Sequence, residues 1–145
     1  MTTAELNAPT VAARPSPTDD YWATVAQRRV LVIDDHPDTA ESLAVLLTAA
    51  GHYALPVQSA LKAFDALFKF DPQVCLVDLR MPGLDGFEAA RRLRVVLGSH
   101  VRMLAITGEP EAAADPGAAA FARVFAKPPD VPALLRAVAD APVWR

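Results

Sequence analysis

From residue 28 onward, two patterns of apolar positions alternate along the chain. RRVLVI (28–33), VCLVDL (74–79), VRMLAIT (101–107) and RVFA (123–126) are short runs dominated by apolar residues. Side chains alternate between the two faces of a strand, so a run that is apolar throughout predicts a strand covered on both sides. Between these runs the apolar positions recur every three or four residues. In DTAESLAVLLTAAG (38–51), Leu43, Leu46, Leu47 and Ala50 fall on one helical face, and Gly51 can end the helix in the left-handed conformation. SALKAFDALFKF (59–70) is amphipathic with Ser59 as N-cap, and GFEAARRLRVVLG (86–98) reads as a helix. DVPALLRAVADA (130–141) reads as another, with Asp130 as cap and a proline in its first turn. YALPVQ (53–58) is a weaker strand, and Pro56, which has no amide to donate, places it at a sheet edge.

Five strand segments alternating with helices imply βαβ units with right-handed crossovers. The expected fold is α/β: a doubly wound, flavodoxin-like sheet of five parallel strands in the order 2-1-3-4-5. Such sheets bind ligands beyond the carboxyl ends of their strands, here between the first and third. One segment resists the pattern. EPEAAADPGAAAFA (109–122) carries Pro110, Pro116 and Gly117, all unfavourable inside a helix, so the fourth helix should be short or broken. The domain is expected to span 28–141. Residues 1–27, with Pro9, Pro15 and Pro17 among small polar residues, read as a flexible tail containing the aromatic pair Tyr21 and Trp22. Residues 142–145 form a short C-terminal tail.

Composition narrows the function. The 145 residues are 52% hydrophobic, enough for one domain with a substantial core. A net charge of −3 offers no basic field for direct nucleic-acid binding. The one cysteine, Cys75, permits no internal disulfide and fits a reducing cytosol. The opening MTTAELNAPT lacks a signal-peptide layout, and no apolar run reaches the roughly 18 residues of a membrane helix. The expectation is a cytoplasmic protein without membrane insertion.

The candidate chemistry lies where polar residues interrupt the apolar strands. Asp34 and Asp35 end the first strand, Asp78 the third and Thr107 the fourth, while Lys127 follows the fifth. All belong to one edge of the expected sheet. Three carboxylates gathered there would be neutralised by a divalent cation and one lysine, and ligation by oxygen alone suits Mg²⁺. A carboxylate beside such a cation, with an ammonium and a hydroxyl nearby, can attack a phosphoryl group in line to give an aspartyl phosphate. Each element alone has a plainer explanation: adjacent aspartates favour turns and caps, and a lysine before a proline can be a solvated loop residue. The conjunction is what is specific.

With Asp34-Asp35, VDLRMPGLDG (77–86), Thr107-Gly108 and Lys127-Pro128 in hand, the chain resembles the receiver domain of two-component response regulators over about residues 28–140. DTAESLAVLL is most similar to receivers attached to, or working with, hybrid histidine kinases. The resemblance implies that a histidine kinase or histidine phosphotransfer protein phosphorylates Asp78. It implies Mg²⁺ held by Asp34, Asp35, Asp78 and the backbone carbonyl of Arg80. Thr107 would move towards the phosphoryl group, Lys127 would contact it, and the Lys127-Pro128 bond is commonly cis. The resemblance implies that positions 80 and 109 tune hydrolysis of the aspartyl phosphate; Arg80 and Glu109 either pair across the mouth of the site and hinder attacking water, or stand as two independent solvated charges. The implied role is a phosphorelay signalling domain acting on an unidentified downstream protein, not a turnover enzyme, with phosphorylation-dependent dimerisation compatible with it.

Two departures bear on this. The aromatic switch residue usual three positions before the lysine is Val124 here, and Phe125 beside it should point to the other face. Pro129 replaces a common phenylalanine. The alternative function is therefore a pseudo-receiver, an interaction module with little or no phosphorylation. A haloacid-dehalogenase plan would want a second aspartate two after the nucleophile, where Arg80 stands, and a cap domain for which the chain has no room. His36, His52 and His100 are scattered, with no spacing that implies zinc, and His36 reads as a rim residue. Arg91, Arg92 and Arg94 read as a solvated helix face.

Overall fold

A computed structural model describes residues 27–82 and 85–141. The tails expected over 1–27 and 142–145, with Tyr21 and Trp22, thus lie outside the described residues, apart from Gln27. Parallel strands β1 (Arg29–Ile33), β2 (Tyr53–Val57), β3 (Val74–Asp78), β4 (Arg102–Thr107) and β5 (Arg123–Ala126) form one sheet in the order β2-β1-β3-β4-β5. Helices α1 (Pro37–Ala49), α2 (Ala60–Phe70), α3 (Gly86–Leu97) and α4 (Val131–Ala139) connect or follow them. The expected α/β architecture and strand order are those observed.

The sheet is covered on both sides because β1, β3 and β4 are almost wholly buried. Leu31, Ile33, Cys75, Val77, Met103 and Ala105 face the layer holding Ala63 and Leu67 of α2 and Ala89 and Leu93 of α3. Val30, Val32, Leu76, Leu104 and Ile106 face Leu43 and Leu47 of α1 and Leu134 and Val138 of α4. Pro56 sits on β2, an edge strand, as its missing amide requires.

Local chemistry fixes the helix starts. Ser59, Asp85 and Asp130 each accept a bond from the backbone amide three residues on, at 3.1, 2.9 and 3.4 Å. His36 occupies the N-cap of α1 without a side-chain capping bond, and Pro37 opens the helix. Where a fourth helix would cross from β4 to β5 there are two 3₁₀ segments, Pro110–Ala114 and Pro116–Ala120. They meet at Asp115, whose side chain accepts a 2.7 Å bond from the Gly117 amide. The second packs on α3, where Phe87 and Phe121 stand edge to face at 6.2 Å.

At the amino edge of the sheet, buried Arg28 joins the two ends of the domain. Its guanidinium donates to the carbonyls of Ala139 (2.7 Å) and Ala141 (3.0 Å), and its amide donates to His52 Nδ1 (3.0 Å). No helix among the described residues is long and apolar enough to cross a membrane.

Candidate functional site

The strands run parallel, so their carboxyl ends share one edge, and that edge collects the polar residues. Asp34, the first residue past β1, is fully buried, Asp78 closes β3 with its side chain 2% exposed, and Thr107 closes β4 fully buried. Lys127 is held at the exit of β5 by its amide, which donates 2.9 Å to the Thr107 carbonyl, and its peptide bond to Pro128 is cis. Its ammonium lies 2.8 Å from Asp34 Oδ2 and 3.3 Å from Asp78 Oδ2.

Two buried carboxylates with one ammonium between them cannot share it equally. Burial alone would raise the pKa of Asp34, but the adjacent Lys127 ammonium and the bond from the His36 amide (2.9 Å to Oδ1) hold it below the usual range. Asp78 goes the other way, to about 6, chiefly by burial and then through the charge of Asp34, despite the 3.1 Å bond from the Arg80 amide. Burial opposes the charge of Lys127, yet both carboxylates together raise its pKa. Near neutral pH Asp78 is thus ionised yet unusually basic for a carboxylate, which suits a nucleophile.

Asp35 is half-buried, and its Oδ1 is shielded from solvent without receiving a hydrogen bond. Asp34 Oδ2 likewise receives no bond of good geometry despite the nearby ammonium. Shielded anionic oxygens that lack donors are the ligands a hard divalent cation takes. The donor set of Asp34, Asp35 and Asp78 therefore fits such an ion.

The remaining residues singled out in the sequence lie around this centre. The Thr107 hydroxyl accepts a 3.0 Å bond from the Glu109 amide and sits 3.4 Å from the Glu109 carbonyl. It is engaged with its own loop. Arg80 Nη2 and Glu109 Oε1 form a 2.7 Å ion pair at the rim. Val124 packs with the Leu31 layer while Phe125 lies buried in the opposite one. The region next to Thr107 thus carries the small side chain, and Phe125 cannot take its place. Arg91 and Arg92 pair with Glu88 on the outer face of α3, whereas Arg94 donates to the Gly98 and Val101 carbonyls and closes its end.

Sequence reasoning left His36 at the rim. Its ring instead joins the acidic cluster: Nδ1 is 3.3 Å from both Asp34 Oδ1 and Asp35 Oδ1, and the four residues including Asp78 offer ligand atoms within 4.8 Å of one another. The usable signal was its position between the acidic pair and the proline that fixes the start of α1. Gly86, which closes the 77–86 motif, was given no role of its own; a Cβ there would overlap the Asp78 carbonyl oxygen and lie 2.6 Å from the Leu79 Cα.

Known proteins resemble this chain in sequence and in fold. The family model for the response regulator receiver domain matches residues 30–139. The chain is 35% identical over 147 aligned positions to the sensory/regulatory protein RpfC of Xanthomonas campestris pv. campestris, an alignment covering 96% of this chain. The chain spans 20% of the length of that relative. Its fold matches the chemotaxis protein CheY4 of Vibrio cholerae with a TM-score of 0.71 at 23% identity, over 81% of this chain and all of that one. It also matches response regulator TrrA of Thermotoga maritima, solved with Mg²⁺–BeF, with a TM-score of 0.65 at 24% identity, over 70% and 87%.

Proposed function

Since the chain belongs to the response regulator receiver family of two-component systems, we propose that Asp78 accepts a phosphoryl group from a histidine kinase or histidine phosphotransfer protein. The observation that carries this reading is the Lys127 ammonium lying between two buried carboxylates, 2.8 Å from Asp34 and 3.3 Å from Asp78. A carboxylate oxygen of Asp78 forms the bond to phosphorus as the bond to the donor's imidazole nitrogen breaks. That nitrogen leaves with the electron pair. Lys127 then turns from the free carboxylate to the phosphoryl oxygens. Thr107 releases the Glu109 amide and offers its hydroxyl to one of them. Asp34, Asp35 and Asp78, with the Arg80 carbonyl, would hold Mg²⁺. When bound, that ion neutralises charge on the phosphoryl oxygens.

The altered surface is what a downstream protein reads. Receivers are signalling domains, and the reaction leaves the product on the protein itself. The second reading, an interaction module that is not phosphorylated, is favoured only by Val124 and by the two 3₁₀ segments in place of a helix. Incubation with Mg²⁺ and acetyl phosphate, followed by a phosphate-affinity gel, separates the two. Wild type should shift and Asp78→Asn should not. Identical mobility of the two proteins would refute phosphoacceptance.

A further inference from the structure

We propose that the imidazole of His36 is a direct ligand of the cation at this site, giving it a preference for first-row divalent metals such as Mn²⁺ over Mg²⁺; this rests on the reading of Asp34, Asp35 and Asp78 as a cation site.

The N-cap of α1 is a position where Ser, Thr, Asp or Asn ordinarily satisfies an orphan amide. His36 makes no such bond. Its extended backbone (φ −91°, ψ 109°) and the proline after it bring the ring back over the preceding aspartates. Nδ1 is then equidistant, at 3.3 Å, from one oxygen of each. Neighbouring ligands of an octahedral ion with bonds near 2.1 Å lie about 3 Å apart. The ring nitrogen stands near that distance from each of the two carboxylate oxygens, as a ligand adjacent to both would. The Asp35 oxygen of this pair is the shielded one that receives no hydrogen bond.

Replacing one oxygen by imidazole nitrogen changes which metal is favoured. Mg²⁺ is hard and gains little from nitrogen, whereas first-row transition ions bind imidazole well. The ring is two-thirds exposed, so binding costs it little desolvation and its replacement should leave the fold intact.

The test uses the whole chain and Mn²⁺ as the probe. Pulsed electron paramagnetic resonance of the Mn²⁺-loaded protein should show ¹⁴N coupling, abolished in His36→Leu. Free Mn²⁺ measured by its solution spectrum, with Mg²⁺ as competitor, gives both affinities. His36→Leu should weaken Mn²⁺ binding by at least the roughly tenfold that loss of an outer-sphere partner costs, and leave Mg²⁺ binding nearly unchanged. Absence of nitrogen coupling in wild type, its persistence in His36→Leu, or equal loss of both metals would overturn the proposal. The acetyl phosphate experiment with Mg²⁺ is independent. If Asp78 is phosphorylated while the nitrogen coupling is missing, only the His36 assignment fails. If no divalent ion binds at all, both fail.

Discussion

Arg80 and Glu109 meet at 2.7 Å across the mouth of the acidic site, although their side chains remain 60% and 47% exposed. A pair so open to water adds only ~0–1 kcal/mol to stability. Its effect should instead be on water reaching the phosphorylated Asp78. Arg80→Ala and Glu109→Ala are each expected to speed loss of the phosphoryl group, and the double variant to lose it no faster than the quicker single one. Strictly additive rate changes in this cycle would show that the two charges act independently.

Asp78 should make the metal-free protein less stable at neutral pH. Its pKa rises from 3.8 to about 6 on folding, chiefly through burial. Between those values the folded chain keeps a proton that the unfolded chain releases, so stability falls as pH rises through this window and the cost is complete above it. In chelator-treated protein, Asp78→Asn should raise the melting midpoint at pH 7.5 by about 4 °C or more and change it little near pH 4. A thermal scan showing equal midpoints for the two proteins at pH 7.5 would contradict the assignment.

His52 should act with the opposite slope. It is buried and accepts the Arg28 amide on Nδ1, and burial, followed by the Arg28 charge, lowers its pKa from 6.5. The unfolded chain takes up a proton below pH 6.5 that the folded chain refuses, so this contribution is present above 6.5 and drains away as pH falls. His52→Gln is expected to cost about 1–3 kcal/mol at pH 7.5 through the weakened buried bond. It should also flatten the decline between pH 6.5 and 5.5 in denaturant titrations.

Gly86→Ala tests the backbone behind Asp78. The added methyl would overlap the Asp78 carbonyl oxygen and sit 2.6 Å from the Leu79 Cα, and backbone atoms cannot rotate away. We expect about 1–3 kcal/mol of destabilisation by urea unfolding. Slower labelling by acetyl phosphate should accompany it, because the displaced atoms belong to Asp78. Normal labelling in a destabilised variant would mean that α3 yields instead.

The sheet was legible because its strands are apolar on both faces, and the carboxyl edge was legible because Asp34, Asp78 and Thr107 interrupt those runs. Pro110, Pro116 and Gly117 likewise announced that a regular helix would not follow β4. Side-chain direction at chain reversals was not legible. Nothing in the letters says that the Thr107 hydroxyl turns to the Glu109 amide or that the ring of His36 folds back over the aspartates. Those depend on loop torsions, which no periodicity encodes. Arg28 was assigned to the first strand by its neighbours, whereas its role is set by carbonyls more than a hundred residues away.

That long-range contact has an architectural consequence. By clasping the carbonyls of Ala139 and Ala141, Arg28 brings the first and last turns of the domain to the same underside, with Asp78 at the far rim. Residues 28 and 141, where the described chain is joined to what flanks it, both lie on the side of the sheet away from Asp78. The fold is a cassette: with its two points of attachment side by side, it can be set between other segments without lengthening the gap between them.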